Sequence, residues 1–352
     1  MNNETRMLIL PGSKVYGAAV RRETEAWGSS FVLQERWSIE YSYPAIAAYR
    51  NKIITGSSGT TWIDFLKGQF GRFERALSLG VGTGWIEEAL LRRGLVNTID
   101  LSDLSQSAVE HVSNRLSELD PTVKVNVQVQ DANFIRLEPE SYDLIVCHSI
   151  LHHVINLEHL LYQLNLSLKK TGMLVVDEFI GPSRFQWSNQ VCDIVNSTMR
   201  SLIQGKGFRP LVLPERAVMA MSSPFESIRS SELAPLLEFQ FQENVILEQR
   251  FMGLLYPAIW TLDFSDWEDV GLHKTVEKCI ELDRTFTKTA LLPPCFLFGI
   301  YRKSRRQISS VKPLKDYQVR QLLDPIWSAT PLRLAKWIMG PLLGHPRPRR
   351  VV

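Results

Sequence analysis

The chain has 352 residues, of which 45% are hydrophobic and 22% charged, a make-up that suits a globular protein with a substantial core. Its net charge of +3 is uneven: from Arg302 onward twelve Lys and Arg face only Asp316 and Asp324, so this tail carries about +10 and the rest of the chain about −7. An acidic body with no concentrated basic groove argues against nucleic acid as a partner, because phosphate contacts dominate such binding.

Residues 1–72 hold Trp27, Phe31, Trp37, Tyr41, Tyr43, Tyr49 and Trp62. They read as an N-terminal helical cap whose aromatics mostly anchor it to the core. Leu77–Trp85 then runs from an apolar strand, through Gly80, Gly82 and Gly84, into the helix-like segment Trp85–Leu91. Glycine admits backbone conformations closed to other residues and lets a ligand approach closely. The helix start adds unpaired N–H groups and a partial positive charge. A second apolar segment, Leu95–Leu101, leads to Asp103, placed where a ribose-binding carboxylate would stand; Asp100 competes for that role. A dinucleotide fingerprint, G-x-G-x-x-G, requires its last glycine where Trp85 stands, which opposes an oxidoreductase.

Val123–Val129 alternates valine with Lys124, Asn126 and Gln128, the pattern of a half-buried strand. Asp131-Ala132-Asn133 follows it, then the strand-like Tyr142–His148, Leu151-His152-His153-Val154, and a turn and strand over Lys169–Glu178. Gly181-Pro182 breaks the chain, and residues 183–236, with Pro210, Pro214 and Pro224, read as a helical lid. Strand character returns in Val245–Leu247, a helix fits Trp267–Lys288, and Phe296–Tyr301 closes the sheet.

The G-x-G-x-G spacing, followed in order by Asp103-Leu104, Asp131-Ala132, Tyr142–His148 and Gly172–Glu178, resembles the class I S-adenosylmethionine (SAM) dependent methyltransferases. The resemblance implies an α/β fold: a Rossmann-like, seven-stranded, mostly parallel sheet with helices on both faces, here with the N-terminal cap and an insertion after the fifth strand. The methyltransferase domain would span 73–302. It also implies SAM as cofactor, held by Gly80, Gly82, Gly84, Asp103, Leu104, Asp131, Ala132 and His148, with Asp131 meeting the adenine amino group. The family often has an acid two positions before the first glycine. Here that position is Ser78, whose hydroxyl binds an ammonium without charge, so SAM binds less tightly or another group holds the methionyl amine.

Substrate-side groups belong at the carboxyl ends of the strands. His148, with a pKa suited to a general base, and Glu178 are the catalytic candidates; a carboxylate at 178 also suits a loop cap or a pair with Arg184. His152 and His153 read as structural. Glu178–Trp187 resembles a loop in a subset of bacterial methyltransferases associated with glycan and secondary-metabolite clusters, where Arg184, Gln186 and Trp187 either bind a polar acceptor or fold as a cover. The acceptor is then an oxygen or nitrogen of a small molecule, sugar or glycolipid; the alternative is a non-catalytic, partner-dependent subunit. Cys147, Cys192, Cys279 and Cys295 are scattered without C-x-x-C, so free thiols and no metal are expected. With no leader pattern at Met1–Thr5 and no apolar run long enough to span a membrane, the expected location is cytoplasmic. The basic tail, 303–352, with an amphipathic stretch at Pro331–Met339, suggests weak peripheral contact with an anionic membrane.

Overall fold

The computed structural model describes residues 5–27, 39–203 and 208–323. Among the described residues four helices precede the sheet: α1 (Lys14–Trp27), α2 (Ile39–Ser42), α3 (Pro44–Thr55) and α4 (Trp62–Phe70). Thr61 and Asp64 form a reciprocal capping box at the start of α4, satisfying N–H groups that the first turn leaves unpaired. The nucleotide half follows as β1 (Phe73–Leu79), α5 (Trp85–Arg92), β2 (Val96–Asp103), α6 (Gln106–Leu119), β3 (Lys124–Val129), β4 (Tyr142–His148), α7 (Leu157–Ser167) and β5 (Leu168–Phe179). After β5 come α8 (Asn189–Leu202), α9 (Arg216–Ser222), α10 (Ser230–Phe241), β6 (Val245–Phe251), α11 (Leu255–Ile259), α12 (Val270–Lys288), β7 (Phe296–Arg302) and α13 (Asp316–Leu323).

The seven strands lie in the order β3-β2-β1-β4-β5-β7-β6. The first five are parallel, and β7 enters antiparallel between β5 and β6. The central strands are continuous apolar runs because both their faces are covered. Ala76, Leu144, Val146, Val175 and Ile300 point into a core shared with α3–α6 and α12. Leu77, Ile145, Leu174, Val176 and Tyr301 alternate into a second core under α7 and α10. Each such large side chain, buried from water, is worth roughly 1.5–3 kcal/mol.

Three expectations change. The strand at Val123–Val129 is the sheet edge: Val127 and Val129 are 38% and 45% exposed, so its valines follow strand propensity more than burial. The helix α10 runs across position 236, where the lid was expected to end. The tail expected from 303 is divided: Val319 and Leu323 of α13 are buried with Tyr16 and Ala19 of α1 and with Phe225 and Ile228, and Leu314 donates its N–H to the Leu8 carbonyl at 2.7 Å. Pro331–Met339, Phe31 and Trp37 lie outside the described residues.

Candidate active site

In this strand order the connections leave β1 and β4 in opposite directions, and that switch point is where open α/β sheets bind ligands. Here the carboxyl ends of β1, β2, β4 and β5 open on a cavity of about 830 Å³, near the top of the usual range for ligand pockets, roughly 300–1,000 Å³.

The glycine loop forms part of its wall. Gly80, Gly82 and Gly84 have φ of +68°, +48° and +77°, a region that other residues enter at a cost. Their surroundings differ. A Cβ on Gly80 would stand 2.7 Å from Ile150, and one on Gly84 2.6 Å from Val112, whereas one on Gly82 would meet nothing within 4 Å. Two glycines therefore allow the loop to pack, and the middle one leaves open space.

Asp103, at the end of β2, lines the cavity. Its carboxylate accepts the N–H groups of Ser105 at 2.9 Å and Gly82 at 3.3 Å, and burial pushes its pKa up against those hydrogen bonds. Asp100 is excluded from this role. Its carboxylate is buried against Arg75, at 2.6 Å from Nη2, Asn126 at 2.6 Å and the Tyr142 hydroxyl at 2.9 Å. Leu104, Asp131 and Ala132 also line the cavity; Asp131 already accepts the Tyr16 hydroxyl of α1 at 2.6 Å.

Ser78 is buried and does not line the cavity. Its hydroxyl donates to Glu87, in the first turn of α5, and Glu87 does line the cavity. Helical Cα–Cβ bonds tilt toward the N-terminus, which carries this carboxylate back to the loop. Burial pushes the Glu87 pKa up to about 7, against the Ser78 hydrogen bond. Glu87 was not among the expected site residues; an acid in the first turn after the glycines was the available signal.

His148 ends β4 among the rings of Tyr41 and Trp85, at 4.6 and 4.9 Å between centroids. Its Nε2 is 3.7 Å from Asp177 Oδ2 and has no hydrogen-bond partner. Burial lowers its pKa, so the imidazole is neutral near pH 7. Asp177 itself is held by Arg50 of α3, with Nη2 at 2.6 and 2.7 Å from its two oxygens.

Glu178 does not face the cavity, which corrects the expectation of a catalytic carboxylate. One oxygen accepts the N–H groups of Ile150 and Leu151, both at 2.6 Å, and the other meets His152 Nδ1 at 2.7 Å. It is a loop cap, though not through Arg184. The Arg184 guanidinium donates to the carbonyls of Pro224 at 2.5 Å, Glu226 at 3.0 Å and Leu322 at 3.2 Å. Gln186 donates to the Pro214 carbonyl at 2.9 Å, and Phe185 stacks on Trp187 at 5.7 Å. The Glu178–Trp187 loop is thus a cover fastened to backbone.

His152 and His153 line the cavity together with Glu23 and Glu226. His153 Nδ1 lies 2.9 Å from Glu23, a carboxylate that also accepts from Ser223 and the Phe225 N–H. Burial pushes the His152 pKa down to about 3, helped by the charge of its neighbour. For His153, Glu226 and Glu23 overcome burial and push it up to about 9. Aromatic side chains, among them Tyr41, Tyr256, Trp260 and Trp267, complete the wall. Of the N-terminal aromatics, Trp27 and Tyr41 therefore belong to the site, while Tyr43, Tyr49 and Trp62 are core anchors. The four cysteines are free, three buried and Cys192 half-buried.

Residues 77–174 match a family model described as a methyltransferase domain. This segment holds the glycine loop, Asp103, Asp131 and the end of β4. By that match the segment is a methyltransferase domain. Among solved structures, this methyltransferase is similar to a SAM-dependent methyltransferase from Mesorhizobium loti, at 17% identity over 74% of this chain and 98% of that one, with a TM-score of 0.43. It is also similar to the YcgJ protein of Bacillus subtilis, at 16% identity over 68% of this chain and 97% of that one, with a TM-score of 0.38. No curated protein matches this chain.

SAM is the cofactor that a methyltransferase domain implies, and the residues fit it. The open space at Gly82, the carboxylate of Asp103 and the buried carboxylate of Glu87 present a backbone cradle, a diol acceptor and an anion on one cavity wall. Among the described residues no helix is long and apolar enough to cross a membrane.

Proposed function

We propose that the methyltransferase transfers a methyl group to an oxygen or nitrogen of a small molecule, sugar or glycolipid. One observation carries this reading: a single cavity joins the glycine loop and Asp103 to a wall of aromatic rings and titratable groups. Its size leaves room for an acceptor beside the cofactor.

In this reading Asp103 accepts the ribose hydroxyls and Asp131 lies toward the adenine. Glu87, held by the Ser78 hydroxyl, supplies the negative charge that position 78 lacks and holds the methionyl ammonium. SAM, when bound, supplies an electrophilic methyl on a sulfonium that loses its charge during transfer. Extra negative charge at the sulfur would favour the ground state over the transition state, so the chain's main contribution is alignment, which can be worth roughly 7–11 kcal/mol. The aromatic wall excludes water and orients the acceptor. His148, neutral with a free Nε2, is placed to take a proton, a role worth roughly 10²–10⁴-fold. Contact of the basic tail with anionic lipid remains part of the same proposal, on charge alone.

The test is transfer of labelled methyl from SAM to a panel of hydroxylated and amino acceptors. Turnover that falls in His148→Ala by far more than SAM affinity does supports the reading. A chain that binds SAM and methylates no member of any of these acceptor classes contradicts it.

A further inference from the structure

Two imidazoles and a carboxylate converge in the cavity. His152 Nε2 lies 3.6 Å from Glu226 Oε1, and His153 Nε2 lies 3.6 Å from Glu226 Oε2. One donor atom from each of the three residues falls within 4.8 Å of the others. At 3.6 Å these atoms are beyond hydrogen-bonding distance. Two ligands tetrahedrally arranged about a zinc ion, at about 2.0–2.1 Å each, stand roughly 3.3 Å apart, so a small inward shift would close the set.

The groups behind the imidazoles point the same way. Each ring has its Nδ1 on a carboxylate, Glu178 at 2.7 Å for His152 and Glu23 at 2.9 Å for His153. Metal-bound histidines almost always donate their second nitrogen in this manner, which fixes the ring and raises its basicity. Both carboxylates are themselves anchored: Glu178 by two backbone N–H groups, Glu23 by Ser223 and the Phe225 N–H. The third donor is held as well, because Arg184 grips the carbonyls of Pro224 and Glu226. All three donors line the cavity.

We propose that His152, His153 and Glu226 bind a first-row divalent cation, with zinc the best match to two nitrogens and one oxygen, and with its open positions facing the cavity. Binding of the cation stands independently of the methyltransferase reading. Only its role rests on that reading: there it coordinates an acceptor hydroxyl and acidifies it, which eases transfer of the proton to the base proposed above, His148. This favours oxygen over nitrogen as the accepting atom. The scattered cysteines, from which no metal was expected, carry no information about a site of this kind.

The test is titration of the full-length, chelator-stripped chain with Co²⁺, followed by visible absorption, with Zn²⁺ as competitor. S-adenosylhomocysteine binding is measured on the same samples. The expected result is one equivalent of Co²⁺ with ligand-field bands that Zn²⁺ erases. The bands should vanish in His152→Ala and in Glu226→Gln, and Glu23→Gln should weaken Co²⁺ binding by about 10- to 100-fold. Should His152→Ala misfold by circular dichroism, Glu226→Gln carries the test, since its amide keeps an acceptor for Ser227. A chain that binds S-adenosylhomocysteine but no Co²⁺ overturns the metal site and leaves the methyltransferase reading intact. Bands unchanged in the ligand variants overturn it too. Co²⁺ binding without S-adenosylhomocysteine binding supports the site and removes the role assigned to it.

Discussion

Two groups of residues around the cavity are built in opposite ways. In the first group, around the cofactor site, Gly80–Gly84, Glu87, Asp103 and Asp131 come from one continuous stretch of β-α-β units, and each follows the end of a strand or opens a helix. In the second group, proposed to face the acceptor, Glu23 of α1, His152 and His153 after β4, and Glu226 before α10 are gathered from three distant segments. The first group is specified by short-range spacing. The second exists only once α1, the Glu178–Trp187 cover and the 223–228 segment have packed together, as Arg184 and the buried cluster around Tyr16, Phe225 and Val319 require.

If this contrast is right, substitutions should divide by group. The largest effect should come from the link beneath both. Arg50 and Asp177 form a buried ion pair that ties α3 to the end of β5, and removing one partner strands the other charge. Arg50→Ala should cost about 3–5 kcal/mol of stability in chemical denaturation, and a loss below 1 kcal/mol would show the pair to be dispensable. Behind the second group, Arg184→Ala strips hydrogen bonds from three backbone carbonyls. It should cost about 2–3 kcal/mol and lower turnover while leaving SAM affinity within about twofold. An equal fall in SAM affinity would erase the distinction between the groups.

In the first group, Glu87 gives a pH signature. Its folded pKa, about 7, lies above the unfolded value near 4.5, so the folded state holds the extra proton. Stability is then highest below about pH 4.5 and declines as pH rises to about 7, by about 3 kcal/mol for this group. Glu178, also pushed up to about 7 by burial, adds to the same slope. His152, pushed down to about 3, opposes that slope, so Glu87→Gln is read by difference from the natural sequence and should remove this group's share, about 3 kcal/mol, across that window. Because an ammonium partner requires the charged form, SAM binding to the natural chain near pH 6 should release a proton, seen calorimetrically in buffers of different ionisation enthalpy, and Glu87→Gln should release none. The smallest structural effect is expected for Gly82→Ala. With open space around the new Cβ, only the positive φ is penalised, about 1 kcal/mol, yet the methyl should enter the cradle and weaken SAM binding. Gly84→Ala, driven into Val112, should destabilise more, about 1–3 kcal/mol.

The same contrast explains what could be read before folding. The strands were legible because most of those in the nucleotide half are apolar runs ending in a turn with its own chemical signature, whereas their order in the sheet was not read; Asp103 was preferred because the residues after it continue in the register of the resemblance. Choosing it over Asp100 by register agrees with the burial of Asp100 against Arg75 and Tyr142. Glu178 was misplaced because its position at a strand end says nothing of orientation; its oxygens turn back to cap Ile150 and Leu151. His152 and His153 look structural from their local pattern, since neither Glu23 nor Glu226 is near them in sequence. Glu87 was overlooked although its signal was local: in the first helical turn the side chain leans back over the preceding loop.

The central claim is that the first group binds SAM through Asp103. Calorimetric titration of the full-length chain with SAM, beside Asp103→Ala, tests it most directly. The account predicts single-site binding, weakened about 10- to 150-fold in the variant by loss of charged hydrogen bonds worth roughly 1.5–3 kcal/mol. Absence of binding, or equal binding by both proteins, would contradict it.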